Sequence, residues 1–280
     1  MAISLPVQGI NLSNSRSYLE LKNFSHLPQK TAVDIDISGL AISEGDHSFV
    51  ETRIDFDTIF YTDQSQAFVK SRSETNVSGS GSNYFGQGRT ISQAIGDFSV
   101  AANQNFFFEI ESFLSITTVF NTSKTATYRT GSYLNLSLMD RSSNNIIDEW
   151  EILGLQENNS ASNIPFRYQE AGGSQFIPDR EEIGSFNQIF NNYLISTQYT
   201  SWNGYFLSSF SQDTELRLIA TTQNQSCVNK LQATNRCDQF PERSSSKAVP
   251  FQPSSQLLIF LIGTFITIRL IKKQMIKFGI

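Results

Sequence analysis

The chain has 280 residues, of which 17% are charged and 39% hydrophobic, enough for one large β domain or two small ones. Its formal charge is −5, and setting aside residues 248–280, with four basic residues and no acid, leaves 17 basic against 26 acidic residues, a net of −9. So acidic a body excludes nucleic acid as a partner and disfavours close adhesion to an anionic membrane.

At the N-terminus, residues 1–15 contain no run of seven apolar residues, and no Lys or Arg precedes Arg16. A secretory leader needs both a basic patch and an apolar stretch. Residues 1–16 are therefore expected to be a segment left over from a signal peptide whose start lies upstream, a truncated copy being the other reading, with the folded body beginning near residue 17.

The body alternates with period two. Val33, Ile35 and Ile37 alternate with Asp34, Asp36 and Ser38, and Ile54-Asp55-Phe56-Asp57 repeats the pattern. Phe106, Phe108 and Ile110 alternate with Phe107, Glu109 and Glu111, and Leu134, Leu136 and Leu138 with Asn135, Ser137 and Met139. Trp150 and Ile152 oppose Glu149 and Glu151 in the same way. Such alternation marks half-buried strands of antiparallel sheets. Turn residues punctuate it, as in Asp140-Arg141-Ser142-Ser143-Asn144-Asn145, Ala101-Ala102-Asn103-Gln104 and Asn121-Thr122-Ser123-Lys124. Late strands read Tyr205-Phe206-Leu207-Ser208 and Glu215-Leu216-Arg217-Leu218-Ile219-Ala220. With 23 Phe, nine Tyr and dense Ser, Thr and Asn, the expected arrangement packs aromatics inside and turns hydroxyls to water. The fold expected is all-β, an antiparallel β-sandwich of jelly-roll or Ig-like type over residues 17–240. One stretch, 178–194, fits a short helix and a strand equally well. Asp179 with Glu182 imitates a capping box, and Ile183, Phe186, Ile189, Phe190, Tyr193 and Leu194 carry helical spacing, but Gly184 and Asn191-Asn192 interrupt it.

Few motifs carry chemistry. Gly79, Gly81, Gly86 and Gly88 match neither phosphate-loop spacing and read as a bend between strands. Asp34, Asp36, Asp55 and Asp57 read as a solvated strand face; with Glu44, Asp46 and Asp63 nearby, a weak Ca²⁺ site is the alternative. The two histidines, His26 and His47, have no nucleophile elbow beside them, so His26 reads as structural. Nothing selects a pair among the 26 carboxylates for glycoside hydrolysis. Tyr199, Trp202 and Tyr205 lie in a polar stretch, and two readings stand: core packing, or an exposed platform for sugar rings centred on a loop at 199–204. Cys227 and Cys237 lie too far from either histidine for a metal set; outside the cytoplasm a pair this close suggests a disulfide, with two free thiols as the alternative.

The C-terminus carries the strongest address. A Ser/Pro linker, 241–256, holds Val249-Pro250-Phe251 and Ser254-Ser255; an apolar run, 257–268, follows, and then Arg269, Lys272 and Lys273. Extended through Leu270 and Ile271, the run reaches about 15 residues, short of the roughly 20 that span a bilayer. A hydrophobic helix over 257–273 is expected, with the basic end 274–280 held in the cytoplasm and the body facing out. These residues resemble the PEP-CTERM family of sorting tails, in the cyanobacterial variant with Val-Pro-Phe, although Gln252 stands where that variant carries an acid and Gly263 is the run's only glycine. Phe24-Ser25-His26-Leu27-Pro28, Val77 to Gly86 and Gly96 to Ala102 resemble the ectodomains of the same class, which bring no established activity. The resemblance implies an exosortase-like processing enzyme as partner, contact with the membrane through 257–273, and delivery to the cell surface or extracellular matrix; a plain single-pass anchor is the other reading of the tail. The function expected is structural or adhesive, without catalysis and without a cofactor. A carbohydrate-binding module for exopolysaccharide is the alternative, and a glycan hydrolase a distant one.

Overall fold

The computed structural model describes residues 11–45, 47–121, 126–157, 164–172, 175–231 and 237. The chain divides into two units, Met1–Gln239 and Phe240–Ile280, and the described residues all lie in the first. The linker 241–256, the sorting motif Val249, Pro250 and Phe251, the anchor helix 257–273 and its basic residues Arg269, Lys272 and Lys273 lie outside the described residues. Among the described residues no helix is long and apolar enough to cross a membrane.

Twelve strands are described, in chain order: β1 Asn11–Lys22, β2 Lys30–Ser43, β3 Phe49–Thr62, β4 Ala67–Ser80, β5 Tyr84–Val100, β6 Asn105–Asn121, β7 Thr127–Asp140, β8 Asn145–Glu157, β9 Ile164–Gly172, β10 Phe176–Phe190, β11 Tyr193–Ser209 and β12 Thr214–Asn229. They form two six-stranded sheets, ordered β10-β11-β6-β1-β4-β3 and β2-β5-β12-β7-β8-β9, with every pairing antiparallel. The sheets pack face to face as a β-sandwich, with β1 and β4 of the first sheet against β12 of the second.

The chain reverses at the turns expected at 140–145 and 101–104, while residues 122–124 of the third lie outside the described residues. Asp140 Oδ1 accepts from the Ser142 N–H at 2.8 Å, and Asn144 takes φ +55°, which closes β7 onto β8. Gly81, at φ +97°, bends the chain from β4 in one sheet to β5 in the other, so the glycine-rich stretch is a bend between strands.

Two expectations change and one open choice, between helix and strand at 178–194, is settled. β1 begins at Asn11, inside the segment expected to precede the domain. Residues 178–190 form β10, not a helix; Asn191 and Asn192, at φ +47° and +66°, make the two-residue turn that returns the chain as β11. The second change concerns the hydroxyl residues. Ser13, Ser15 and Ser17 of β1, Ser71, Ser73 and Thr75 of β4, and Thr222 and Ser226 of β12 are all buried between the sheets.

The interior is thus zoned along the strands. One end is aromatic and aliphatic, with Phe98, Phe106, Phe108, Trp150, Trp202 and Phe206 in a single buried cluster with Leu19, Leu21, Leu216 and Leu218. The far end holds Val77, Tyr84 and Val228. Between them the sheets meet through hydroxyls: Ser71 pairs with Thr222 at 2.9 Å, Thr75 with Ser226 at 2.9 Å, and Ser13 with Thr130. Ser and Thr are small enough for facing strands to bring oxygen to oxygen, and each pair satisfies groups that burial would otherwise leave costly.

Asn224 is the hub of that zone and is fully buried. Its Oδ1 accepts from Ser15 at 2.8 Å and Ser132 at 2.9 Å. Its Nδ2 donates to Ser17 Oγ at 2.8 Å, to the Ser73 carbonyl at 2.9 Å and to Ser73 Oγ at 2.5 Å. One amide therefore ties β12 to β1 and β4 across the sandwich and to its own neighbour β7.

Candidate functional site

β11 decides what happens to the expected aromatic platform. Residues 199–204 are not a loop but the interior of this strand, so successive side chains point to opposite faces. Thr200, Trp202 and Phe206 turn inward and are buried. Trp202 is 2% exposed, with its ring 4.5 Å from that of Trp150, and cannot serve as an exposed platform residue. Tyr199 and Tyr205 turn outward and are half-buried. They stand six residues apart, roughly 20 Å along the strand, and belong to different patches. Tyr205 lies beside Phe107, ring centres 5.8 Å apart.

Around Tyr199 the sheet assembles a different aromatic group on its outer face. Tyr18 of β1 is directly opposite Phe113 of β6, and Phe113 is directly opposite Ser201, two residues from Tyr199 on β11. Direct cross-strand neighbours place side chains about 5 Å apart and diagonal ones within reach of aromatic rings. All three aromatics are half-buried. The Tyr199 ring itself lies over Gly184 of β10, on the side of β11 away from Phe113; a Cβ at Gly184 would come within 2.2 Å of it.

Polar groups border this patch on two sides. Glu20 and Glu111 are directly opposed, and Glu111 is opposite Asn203. Tyr18 donates its hydroxyl proton to Glu20, and Lys22 Nζ lies 3.5 Å from Glu111. Burial, and then the hydrogen bond to Glu20, raises the Tyr18 phenol well above its ordinary value. On the other side Arg16 and Asn14 hold Glu74, at 2.8 Å each. Burial pushes the Glu74 carboxyl up, but the Arg16 and Asn14 hydrogen bonds outweigh it and the net shift is downward. Tyr18 and Phe113, neighbours in register, and Tyr199 farther along the same face, with carboxylates and an amide beside them, can meet apolar ring faces and accept hydrogen bonds from hydroxyls around them.

The remaining candidates have structural partners. His26 bonds Ser25 at 2.9 Å and Gln104 at 3.0 Å in the loop after β1. Asp34, Asp36, Asp55 and Asp57 are exposed on β2 and β3, and among the described residues no group of three or more His, Cys, Asp or Glu could hold a metal. Asp97, with a side chain 4% exposed, is gripped by Arg217 through both carboxylate oxygens at 2.8 and 3.0 Å. Asp148, fully buried, accepts from the Gln175 N–H at 2.7 Å and so fixes the crossing into β10. Cys227 and Cys237 form a disulfide, Cα atoms 5.8 Å apart.

Tyr18 and Phe113 are the functional candidates that the sequence reading passed over. Their signal lies in register: only the β1-β6-β11 pairing brings three distant aromatics onto one face. No protein-family profile, curated protein or solved structure matches this chain.

Proposed function

We propose that this chain is an exported cell-envelope protein whose β-sandwich acts by surface contact, in a structural or adhesive role, and not as an enzyme. The observation that carries this reading is the Cys227–Cys237 disulfide. Bonds of this kind form and persist outside the reducing cytosol. The acidic body and the tail motif agree with it. Val249, Pro250 and Phe251 would be the recognition element for an exosortase-like enzyme, 257–273 the membrane segment, and Arg269, Lys272 and Lys273 the cytoplasmic stop. Within the sandwich class, repeated crossing between sheets, from β1 to β2 to β3 and from β4 through β7, favours a jelly-roll type over an Ig-like one.

Thiol trapping tests the compartment. Protein taken from cells directly into an alkylating reagent should carry label on neither cysteine until it is reduced. Immediate labelling of both Cys227 and Cys237, with the protein in the soluble cytosolic fraction, would sink the reading. The intact mass of the same sample reports whether the chain is cut near Pro250.

The aromatics on the outer face, Tyr18 beside Phe113 in register and Tyr199 farther along, favour a second reading, in which that sheet face binds exopolysaccharide. Tyr199→Ala should then lower affinity for the bound glycan about tenfold or more, while Phe49→Ala, an exposed aromatic on the remote edge strand β3, leaves it unchanged. An array on which the wild type and Tyr199→Ala bind alike would remove this role from the patch.

A further inference from the structure

The edge strand β10 has an exposed second half that carries no charge. From Ile177 onward, both of its faces are open. Its first half is blunted as edge strands usually are. Pro178 lacks an N–H, the register shifts between Pro178 and Arg180, and Asp179-Arg180-Glu181-Glu182 adds four charges. The second half, 183–190, reads Ile-Gly-Ser-Phe-Asn-Gln-Ile-Phe and has none of these devices. Its apolar side chains stay in water: Ile183 is 47% exposed, Phe186 53%, Ile189 71% and Phe190 48%.

The other edges carry charges over part of their length. β3 alternates Glu51, Arg53, Asp55 and Asp57 along its outer face, and β2 carries Asp34 and Asp36. Where β2 loses its charges, Ile37 and Leu40 are 41% and 47% exposed, and Thr52 Oγ1 of β3 donates to the Leu40 carbonyl at 3.2 Å. β9 contains Pro165, Arg167 and Glu170.

The spacing within 183–190 identifies what would cover it. Ile183, Phe186 and Ile189 are symmetric about Phe186. Two antiparallel edge strands related by a two-fold axis keep the faces of their sheets in common, so directly opposed residues must share parity. The register centred on Phe186 meets that condition. It sets Phe186 against the partner's Phe186 on the outer face, and Ile183 against the partner's Ile189, twice, on the inner face. It also slides Asp179, Arg180 and Glu181 past the end of the partner's strand, so the acids of the two copies do not confront one another. A register that opposed the two 179–182 segments would stack like charges and a proline in the ladder.

We propose that the 183–190 segments of two copies of this chain pair antiparallel about Phe186, joining the β10-edged sheets of both into one. The interface is isologous, and β3 at the opposite edge is charged, so association stops at the dimer instead of running on as a fibre.

The test uses the full chain in mild detergent. Sedimentation equilibrium at tens of micromolar should return twice the chain mass of 31.5 kDa. Phe186→Lys sets two cations face to face on the axis and should weaken self-association about a hundredfold or more, with an unchanged thermal melt. Phe186→Cys supplies a register test, because direct antiparallel partners have Cα atoms about 4.5–5.5 Å apart, within disulfide reach. Under mild oxidation it should give a covalent dimer, while Phe56→Cys, comparably exposed on β3, should not. A wild-type monomer across this concentration range overturns the proposal, as does a dimer that Phe186→Lys leaves intact and Phe186→Cys fails to lock.

Discussion

Trp202→Ala is expected to lower folding stability by about 3–5 kcal/mol, seen as a fall of roughly 6–20 °C in the melting midpoint. The indole is 2% exposed and packs 4.5 Å from Trp150 in the cluster that also holds Phe176 and Phe206. It also lies over Gly204, where an added Cβ would sit 2.6 Å from the ring. Truncation removes the largest side chain on the inward face of β11 and leaves a hole that the two sheets cannot close without sliding. Tyr199→Ala, three residues away on the outer face, removes no such wedge and should change stability by less than about 1 kcal/mol. The two variants therefore separate stability from binding. Equal melts for both, measured by urea titration, would contradict the inward orientation of Trp202.

That pair of residues also shows where sequence reading succeeds and fails. The alternation in β6, β7 and β8 is legible because Phe, Leu and Trp contrast sharply with Glu, Asn and Ser. A strand was therefore readable at Trp150 and Ile152, and both are fully buried. In β1 the contrast is inverted: Ser13, Ser15 and Ser17 face the core while Tyr18 faces out. Hydropathy reads serine as a surface residue, so this strand merged with the polar N-terminus and the domain was expected to start six residues too late. The aromatic patch was illegible for a different reason. Tyr18, Phe113 and Tyr199 are scattered along the chain, and strand order and register, which tertiary packing fixes, put them on one face. In β10 the spacing of Ile183, Phe186, Ile189 and Phe190 suits a helix face as well as a strand exposed on both sides, and the Asn191-Asn192 turn is what resolves it.

Asn224→Leu should cost about 3 kcal/mol, although leucine is near asparagine in size and more apolar. The substitution leaves its partners in place. Ser15 can still donate to the Gly131 carbonyl at 2.6 Å, and Ser132 to the Arg16 carbonyl at 3.2 Å. Ser17 and Ser73 already bond each other at 3.0 Å, but the Ser73 carbonyl loses the Nδ2 donor. Asn224→Asp separates hydrogen bonding from volume. Ionised, it presents acceptors on both oxygens, one of them against that carbonyl, and burial holds its pKa above that of an unfolded aspartate. A group whose folded pKa is raised binds more protons folded than unfolded, so its penalty grows as pH rises through and above the unfolded value near 4. At pH 7 the loss should reach about 3–5 kcal/mol, and it should shrink toward that of the wild type near pH 4. The wild-type chain, with Glu74 depressed by Arg16 and Asn14, has a carboxylate contribution of the opposite sign, lost as pH falls. Urea titrations of the three proteins at pH 4.5 and pH 7 read both effects. An Asn224→Leu variant as stable as the wild type would mean that the hydroxyl zone is held by the strands around it, and that Asn224 does not organise it.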